Sequence, residues 1–259
     1  MVNSPYKDIA DKVIYITGGT SGIGKSLAKC CLDHGAKVII TGRNVSNLES
    51  ALNELKENSD NIYGHIADVS NHEQVNESIS QTLNLFGKID GLVNNAPSIH
   101  TGLLQDLTYD QWRTNFKANL DGVFYLCQQT IPHMRKNGSG SIVNISSVVG
   151  LRGTRYMGAY GAAKAGLINL TQALAIENAP IIRVNCVVPG AVMTPATERA
   201  IPDSNLLEQT AKSIPLKRIA DPLEIALPIL FMLSESASFI TGQTLIVDGG
   251  KTADLNAGN

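Results

Sequence analysis

The run Lys12-Val-Ile-Tyr-Ile-Thr17 passes straight into Gly18-Gly-Thr-Ser-Gly-Ile-Gly24, and this junction restricts the chain more than any other stretch. Its first half is β-branched and aromatic, the composition of a strand. Beyond the glycines a helical pattern continues to residue 32. Glycines at such a turn let the backbone approach a pyrophosphate. The helix start behind them offers unbonded N–H groups at the positive end of its dipole. The competing reading is a tight strand-to-helix turn that holds nothing, because isolated glycine motifs often mislead.

The alternation continues downstream. Residues 37–41 read as a second strand, 45–58 as an amphipathic helix, 61–66 as a strand and 71–86 as a helix with Asn71 as N-cap. Gly91-Leu-Val-Asn-Asn95 is a strand of the buried type. The capping box Thr108-Tyr-Asp-Gln111 opens a long helix over 108–135, and 141–145 is a further strand. Strands alternating with helices predict an α/β fold: a parallel sheet with helices on both faces and right-handed crossovers. No internal repeat and no Pro/Gly/Ser-rich linker divides the 259 residues, so 1–259 reads as a single domain.

Composition removes several classes of function. A net charge of -2 with no run of like charges argues against nucleic acid or an anionic membrane as partner. The stretch 1–12 is polar and carries Asp8 and Asp11, unlike a secretory signal. No apolar run approaches the ~20 residues needed to span a bilayer. Cys30, Cys31, Cys127 and Cys186 lack C-x-x-C spacing and read as buried small apolar residues in a reducing compartment, the cytoplasm. The five histidines are scattered, with no H-E-x-x-H and no clustered carboxylates, so no catalytic metal is expected.

Candidate chemistry centres on Tyr160 and Lys164 in Ala159-Tyr-Gly-Ala-Ala-Lys-Ala165. The helical run 156–177 places them one turn apart on one face. Bringing a phenol from pKa about 10 to about 7 takes roughly 4 kcal/mol. One cation about 4 Å away supplies about that much at an effective dielectric near 20, before desolvation is subtracted. Such a pair arises by chance on many helices, so its meaning depends on its company. Asn119, in Ala118-Asn-Leu-Asp-Gly-Val-Phe124, lies mid-helix beside Asp and Gly, which invites a local distortion or a buried polar role. Ser146-Ser147 ends the strand 141–145, at the carboxyl edge where open α/β sheets bind ligands.

Taken in order, these motifs resemble the short-chain dehydrogenase/reductase family, in its branch of about 250 residues, over nearly the whole chain. Thr17-Gly-Gly-Thr-Ser-Gly-Ile-Gly24 matches its cofactor turn, Asp68 its adenine-contacting acid and Asn94-Asn-Ala96 the motif after its fourth strand. Asn119, Ser147, Tyr160 and Lys164 match its catalytic set, with Ser147 preceding Tyr160 by 13 positions. Ile182-Arg-Val-Asn-Cys-Val-Val-Pro-Gly190, Thr194 and Thr241-Gly-Gln-Thr-Leu-Ile-Val-Asp-Gly-Gly250 complete the pattern. The resemblance implies a Rossmann-type, doubly wound, seven-stranded parallel sheet. It also implies hydride transfer between a nicotinamide and a carbonyl or secondary alcohol. Tyr160 would be general acid/base, and Ser147 would donate to the substrate oxygen, an oxyanion-type contribution of roughly 2–4 kcal/mol. Lys164 would hold the nicotinamide ribose and lower the Tyr160 pKa, and Asn119 would link Lys164 to solvent through a water. The implied cofactor contacts are Gly18, Thr20, Ser21, Gly22, Ile23, Gly24, Asp68, Val69, Asn95, Ala96, Tyr160, Lys164, Pro189, Gly190, Val192 and Thr194. Arg183 and Asn185 are expected to serve structure. Homotetramer or dimer contacts through 245–247 and the two long helices are implied as well.

Cofactor choice is read at the end of the second strand, about 20 residues after the glycine turn. Gly42 leaves that site uncharged, and Arg43 can grip a 2′-phosphate, so NADP(H) is favoured over NAD(H). A solvated Arg43 is the competing reading. Three departures from the family stand out: Pro97 in place of Gly, a turn one residue shorter at Ala179-Pro-Ile-Ile-Arg183, and Ile176 where carrier-protein-linked reductases commonly carry Arg. The polar, Pro-punctuated segment 191–215 is the expected substrate lid. His100, Arg152, Tyr156 and Met157 are candidate substrate contacts, with Arg155 close by; solvated loop arginines are the alternative. Two further readings remain: a 3-oxoacyl-thioester reductase, and a non-catalytic NADPH-binding sensor or scaffold.

Overall fold

In the computed structural model, which describes residues 6–57 and 59–254, every residue of strand β1 (Val13–Thr17) is buried. A strand with no wet face needs a layer on each side. Ile14 and Ile16 enter one apolar core, while Val13 and Tyr15, pointing the opposite way by the two-residue pleat, enter the other. β2 (Lys37–Gly42) and β3 (Ile62–Ile66) extend the sheet on one side of β1. β4 (Gly91–Asn94), β5 (Gly140–Ile145), β6 (Ile182–Pro189) and β7 (Thr244–Val247) extend it on the other. The order is β3-β2-β1-β4-β5-β6-β7, and every pairing is parallel. The direction of winding reverses between β1 and β4, and the crevice at their carboxyl ends is where such a sheet takes a ligand.

Helices α1 (Gly22–Asp33), α2 (Val45–Lys56) and α9 (Pro222–Leu233) cover the Ile14/Ile16 face. α3 (His72–Phe86), α5 (Gly122–Asn137) and α6 (Gly158–Asn178) cover the other. The helix starts follow local chemistry. Asn71 caps α3 by accepting from Glu73 N and Gln74 N. Thr108 and Gln111 form the reciprocal box at α4 (Tyr109–Phe116), and Asp221 with Glu224 does the same at α9, where Pro222 takes the first turn.

Three helical boundaries differ from the sequence reading. The run expected over 45–58 ends at Lys56, and Asn58 lies outside the described residues, as do residues 1–5 of the polar start. The long helix expected over 108–135 is interrupted: a π-helical turn at Lys117–Asp121 separates α4 from α5. The helix expected from 156 starts at Gly158, because Tyr156 has φ 69°, outside the helical region. Within 191–215 the chain forms two short helices, α7 (Pro195–Ala200) and α8 (Ser204–Lys212). Arg183 donates to the Met232 and Ser234 carbonyls and Asn185 to that of Ile240, so both tie β6 to its surroundings as expected. Among the described residues no helix is long and apolar enough to cross a membrane.

Candidate active site

The crevice is built first at the end of β1. The Thr17 hydroxyl accepts from Asn95 N at 2.9 Å and Ala96 N at 3.1 Å while donating to Val93 O at 3.2 Å. One side chain thereby ties the last turn of β1 to the segment leaving β4. The Asn95 amide answers by donating to the carbonyls of Thr17 and Gly18, at 3.0 and 3.1 Å. Its two hydrogens are spent on the protein, so Asn95 shapes the turn and contributes no side-chain donor to a ligand.

Gly18 has φ +64°, and a Cβ there would sit 2.9 Å from the Ala96 Cα. A Cβ on Gly24 would collide with the Gly18 carbonyl oxygen. These glycines let strand, turn and helix pack together. At the start of α1 Ser21 makes no side-chain cap, so the first-turn N–H groups behind the glycine turn have no capping partner. Unbonded donors, a dipole end and a floor without side chains fit a dinucleotide pyrophosphate. Ile23 turns away and packs on the core. Around the rim, Val69 is buried and Asp68 accepts from Ser70. Asp68 Oδ2 also lies 3.7 Å from the Arg43 guanidinium, so the two cofactor candidates face one another. Gly190 donates to Val247 O, and the Thr194 hydroxyl accepts from Thr197 N as the cap of α7. These two atoms have structural partners beyond the contacts implied for them.

The reactive side chains gather at the end of β5. Tyr160 and Lys164 are 6% and 3% exposed, and Ser147 is half-buried. The Lys164 Nζ donates to Ile145 O at 2.7 Å and lies 5.7 Å from the Tyr160 ring centre. Ser146 Oγ donates to Lys164 O, locking the strand end to α6. Burial pushes the Tyr160 phenol up to about 12, with its hydrogen bond to Ser147 acting in the opposite direction. Burial likewise pushes Lys164 down to about 8, against the smaller influence of Cys186. Burial is thus the largest influence on the phenol, the Ser147 hydrogen bond opposes it, and the Lys164 ammonium spends a hydrogen on Ile145 O.

Asn119 is fully buried inside the π-turn. Both outcomes foreseen for it occur together, a distorted helix and a buried polar role. Its amide donates to Ser98 O and Asn115 O, and its carbonyl accepts from Ser98 N at 3.4 Å. One turn earlier Asn115 repeats the arrangement. It donates to His100 O and Gln111 O at 3.1 and 3.2 Å and accepts from His100 N at 3.1 Å.

Of the candidate substrate contacts, His100 and Met157 are half-buried, whereas Tyr156 is exposed with Arg155 stacked 4.9 Å from its ring centre. Arg152 is drawn off to donate to Thr252 O at 3.2 Å. A cavity of about 810 Å³ lies elsewhere, between Leu120, Phe124 and Tyr125 of the α4–α5 stretch and Leu170 of α6. No group of three or more His, Cys, Asp or Glu among the described residues could hold a metal.

The family model described as Enoyl-(Acyl carrier protein) reductase matches residues 18–252. A solved short chain dehydrogenase/reductase family protein superposes with a TM-score of 0.86 at 34% identity, covering 95% of this chain and 99% of that one. The chain belongs to the short-chain dehydrogenase/reductase family. As such it is an oxidoreductase acting on CH–OH/C=O groups with a nicotinamide cofactor. Levodione reductase is a second solved structure similar to this dehydrogenase/reductase, with a TM-score of 0.90 at 33% identity, covering 94% and 98% of the two chains. The 3-oxoacyl-(acyl-carrier-protein) reductase FabG of Chlamydia muridarum is 39% identical over 93% of this chain and 98% of its own. The 2,5-dichloro-2,5-cyclohexadiene-1,4-diol dehydrogenase LinX of Sphingobium indicum is 35% identical over 93% and 96%.

Two residues of the site carry no role in the sequence reading. Thr17 is read only as the first residue of the cofactor-turn motif, with no task for its side chain, and Asn115 is visible only as an asparagine four positions before Asn119. That spacing puts both on one helix face, but nothing local says what the face meets.

Proposed function

We propose that this protein transfers a hydride between NADP(H) and a ketone or secondary alcohol, with Ser147, Tyr160 and Lys164 as its catalytic residues and Asn119 behind them. The observation that carries the reading is the convergence of a hydroxyl, a phenol and an ammonium, from a strand end and one helix face, in one corner at the carboxyl end of β5. When bound, the nicotinamide dinucleotide supplies or receives the hydride. In the reduction direction the substrate oxygen gains negative charge. The Ser147 hydroxyl stabilises that charge by donating a hydrogen bond, and Tyr160 delivers the proton. A phenol near 12 holds its proton at neutral pH and gives it readily to an alkoxide, a far stronger base. The site is therefore poised as an acid, which suits reduction. Lys164 at about 8 remains mostly charged at pH 7 and provides donors toward the ribose. Asn119, set in the π-turn behind Lys164, would hold the proton-relaying water.

Arg43 supports NADP(H) over NAD(H), since its guanidinium is exposed and only loosely paired. The segment 191–215, with α7 and α8, forms the substrate lid. Self-association as a dimer or tetramer is supported by exposed Phe239, Leu223, Leu227 and Ile246 near β7 and by Phe124 on α5. The four cysteines, free and buried, support a cytoplasmic setting.

A second reading, reduction of a 3-oxoacyl thioester, is favoured by the FabG relatives. Against the carrier-protein form of that substrate, Ile176 is 81% exposed and offers an apolar surface where such reductases commonly carry Arg. NADPH oxidation followed against ketones, 3-oxoacyl-CoA and 3-oxoacyl carrier protein separates the readings. Tyr160→Phe should hold NADPH within about threefold of wild type while turnover falls by about 10²–10⁴. Comparable turnover in that variant rejects the assignment. Tight NADPH binding without turnover on any substrate favours the sensor.

A further inference from the structure

Ser98 and His100 alternate along the loop that leaves β4, and each is held by backbone N–H and C=O on the same side. What holds them are the amides of Asn119 and Asn115, one helical turn apart on consecutive turns of one helix. Two side-chain amides thus do what a neighbouring strand would do, pairing alternate residues of an extended segment. Both asparagines are fully buried, and the Ser98 and His100 they hold are half-buried. The loop has further anchors beyond this ladder. Behind it, Ala96 packs against Gly18 of the cofactor turn. Ahead of it, Gly102 N donates to Tyr156 O at 2.8 Å, and Gly158 lies against Leu104. The loop therefore spans the opening from the glycine turn to the arm that carries Tyr156 and leads into Tyr160.

We propose that Asn115 is a positioning residue that fixes residues 98–102 and, through Gly102, the Tyr156 arm, and so sets the width of the substrate mouth. It touches no reacting atom. This inference rests on the reductase reading for its substrate, while the loop assignment does not depend on it. Without Asn115 the loop keeps its Ser98 rung and loses the His100 rung, so the far half loosens while the end near Asn119 stays in place.

The test uses Asn115→Leu, which keeps the branching and heavy-atom count, and Asn115→Thr, whose hydroxyl can still bond Gln111 O while leaving His100 unpaired. Amide hydrogen exchange in the full chain should rise about fivefold to tenfold at His100 and Gly102 in both variants, the loss expected for one hydrogen bond. NADPH affinity should stay within about twofold, and kcat for a small unbranched ketone within about threefold. KM for branched or cyclic ketones should change about tenfold relative to the small one. Unchanged exchange at 98–102 in both variants overturns the loop assignment. Raised exchange with KM changed equally for all ketones overturns the mouth-width assignment. Raised exchange in a protein whose wild type reduces neither ketones nor 3-oxoacyl thioesters overturns the reductase reading and supports the loop assignment.

Discussion

Lys164 and Tyr160 stand one turn apart on α6 with 5.7 Å between the ammonium nitrogen and the ring centre, yet both are displaced toward their neutral forms. Burial disfavours charge on each, and at this separation the pair does not offset it. Reduction requires a protonated Tyr160 and a charged Lys164. Tyr160 at about 12 keeps its proton through any ordinary assay, so Lys164 at about 8 sets the limit. A pH profile of kcat/KM for ketone reduction should be flat up to about pH 8 and then fall toward tenfold per unit. A profile still flat at pH 10 would show that the charge on Lys164 is not needed.

The same shift predicts a pH-dependent stability. Because the folded value of Lys164 lies below its ordinary 10.5, the unfolded chain binds more protons between pH 8 and 10.5. The penalty is full below pH 8 and is relieved as pH rises to 10.5. Its size is on the order of 3 kcal/mol at 1.36 per unit. Lys164→Met removes it, at a pH-independent cost of about 1–3 kcal/mol for the Ile145 carbonyl left unpaired. Urea unfolding at pH 7.5 and pH 10 should therefore show the variant losing ground to wild type by roughly 2 kcal/mol or more at the higher pH. An equal difference at both pH values contradicts the shift.

Arg43 is paired with Asp68 at 3.7 Å across an exposed rim, an ion pair worth about 0–1 kcal/mol. Such a guanidinium is available to a 2′-phosphate. Arg43→Ala should raise KM for NADPH about tenfold or more and leave that for NADH within about threefold. Moving preference to NAD(H) with Gly42→Asp meets an obstacle, because a Cβ at 42 would lie 2.6 Å from the Thr20 methyl. The acid should work better combined with Thr20→Ser, which removes that methyl and keeps the hydroxyl. Equal use of NADH and NADPH by the wild type would reject the role given to Arg43.

Thr17→Val strips the acceptor from Asn95 N and Ala96 N and should cost about 2–4 kcal/mol in denaturant unfolding, since two N–H groups lose their partner. Cofactor affinity should fall with it, because the turn and the segment after β4 are no longer joined. Thr17→Ser keeps the oxygen and should remain within about 1 kcal/mol. A Val variant as stable as wild type would mean that water replaces the hydroxyl.

Much of this architecture was legible in residue order. Strand and helix positions followed from β-branched runs and periodic apolar residues, and Asn71 and Thr108 announced the starts they cap. Asn119 could be read as a point of distortion because Gly122 and Asp121 stand beside it. The start at Gly158 could not, since the left-handed Tyr156 is held in part by Gly102, more than fifty positions away.

The order of residues alone determined the alternating α/β fold, the parallel sheet and the spacing that carries Tyr160 and Lys164 on one helix face, because element type follows local pattern and strands that alternate with helices return by parallel crossovers. The folded structure alone decided the direction of the Tyr160 shift, the diversion of the Asn95 amide to Thr17 and Gly18, and the meeting of Asn115 with His100. Desolvation and long-range hydrogen bonds depend on which distant segments close over a group, and no local stretch of the chain encodes that.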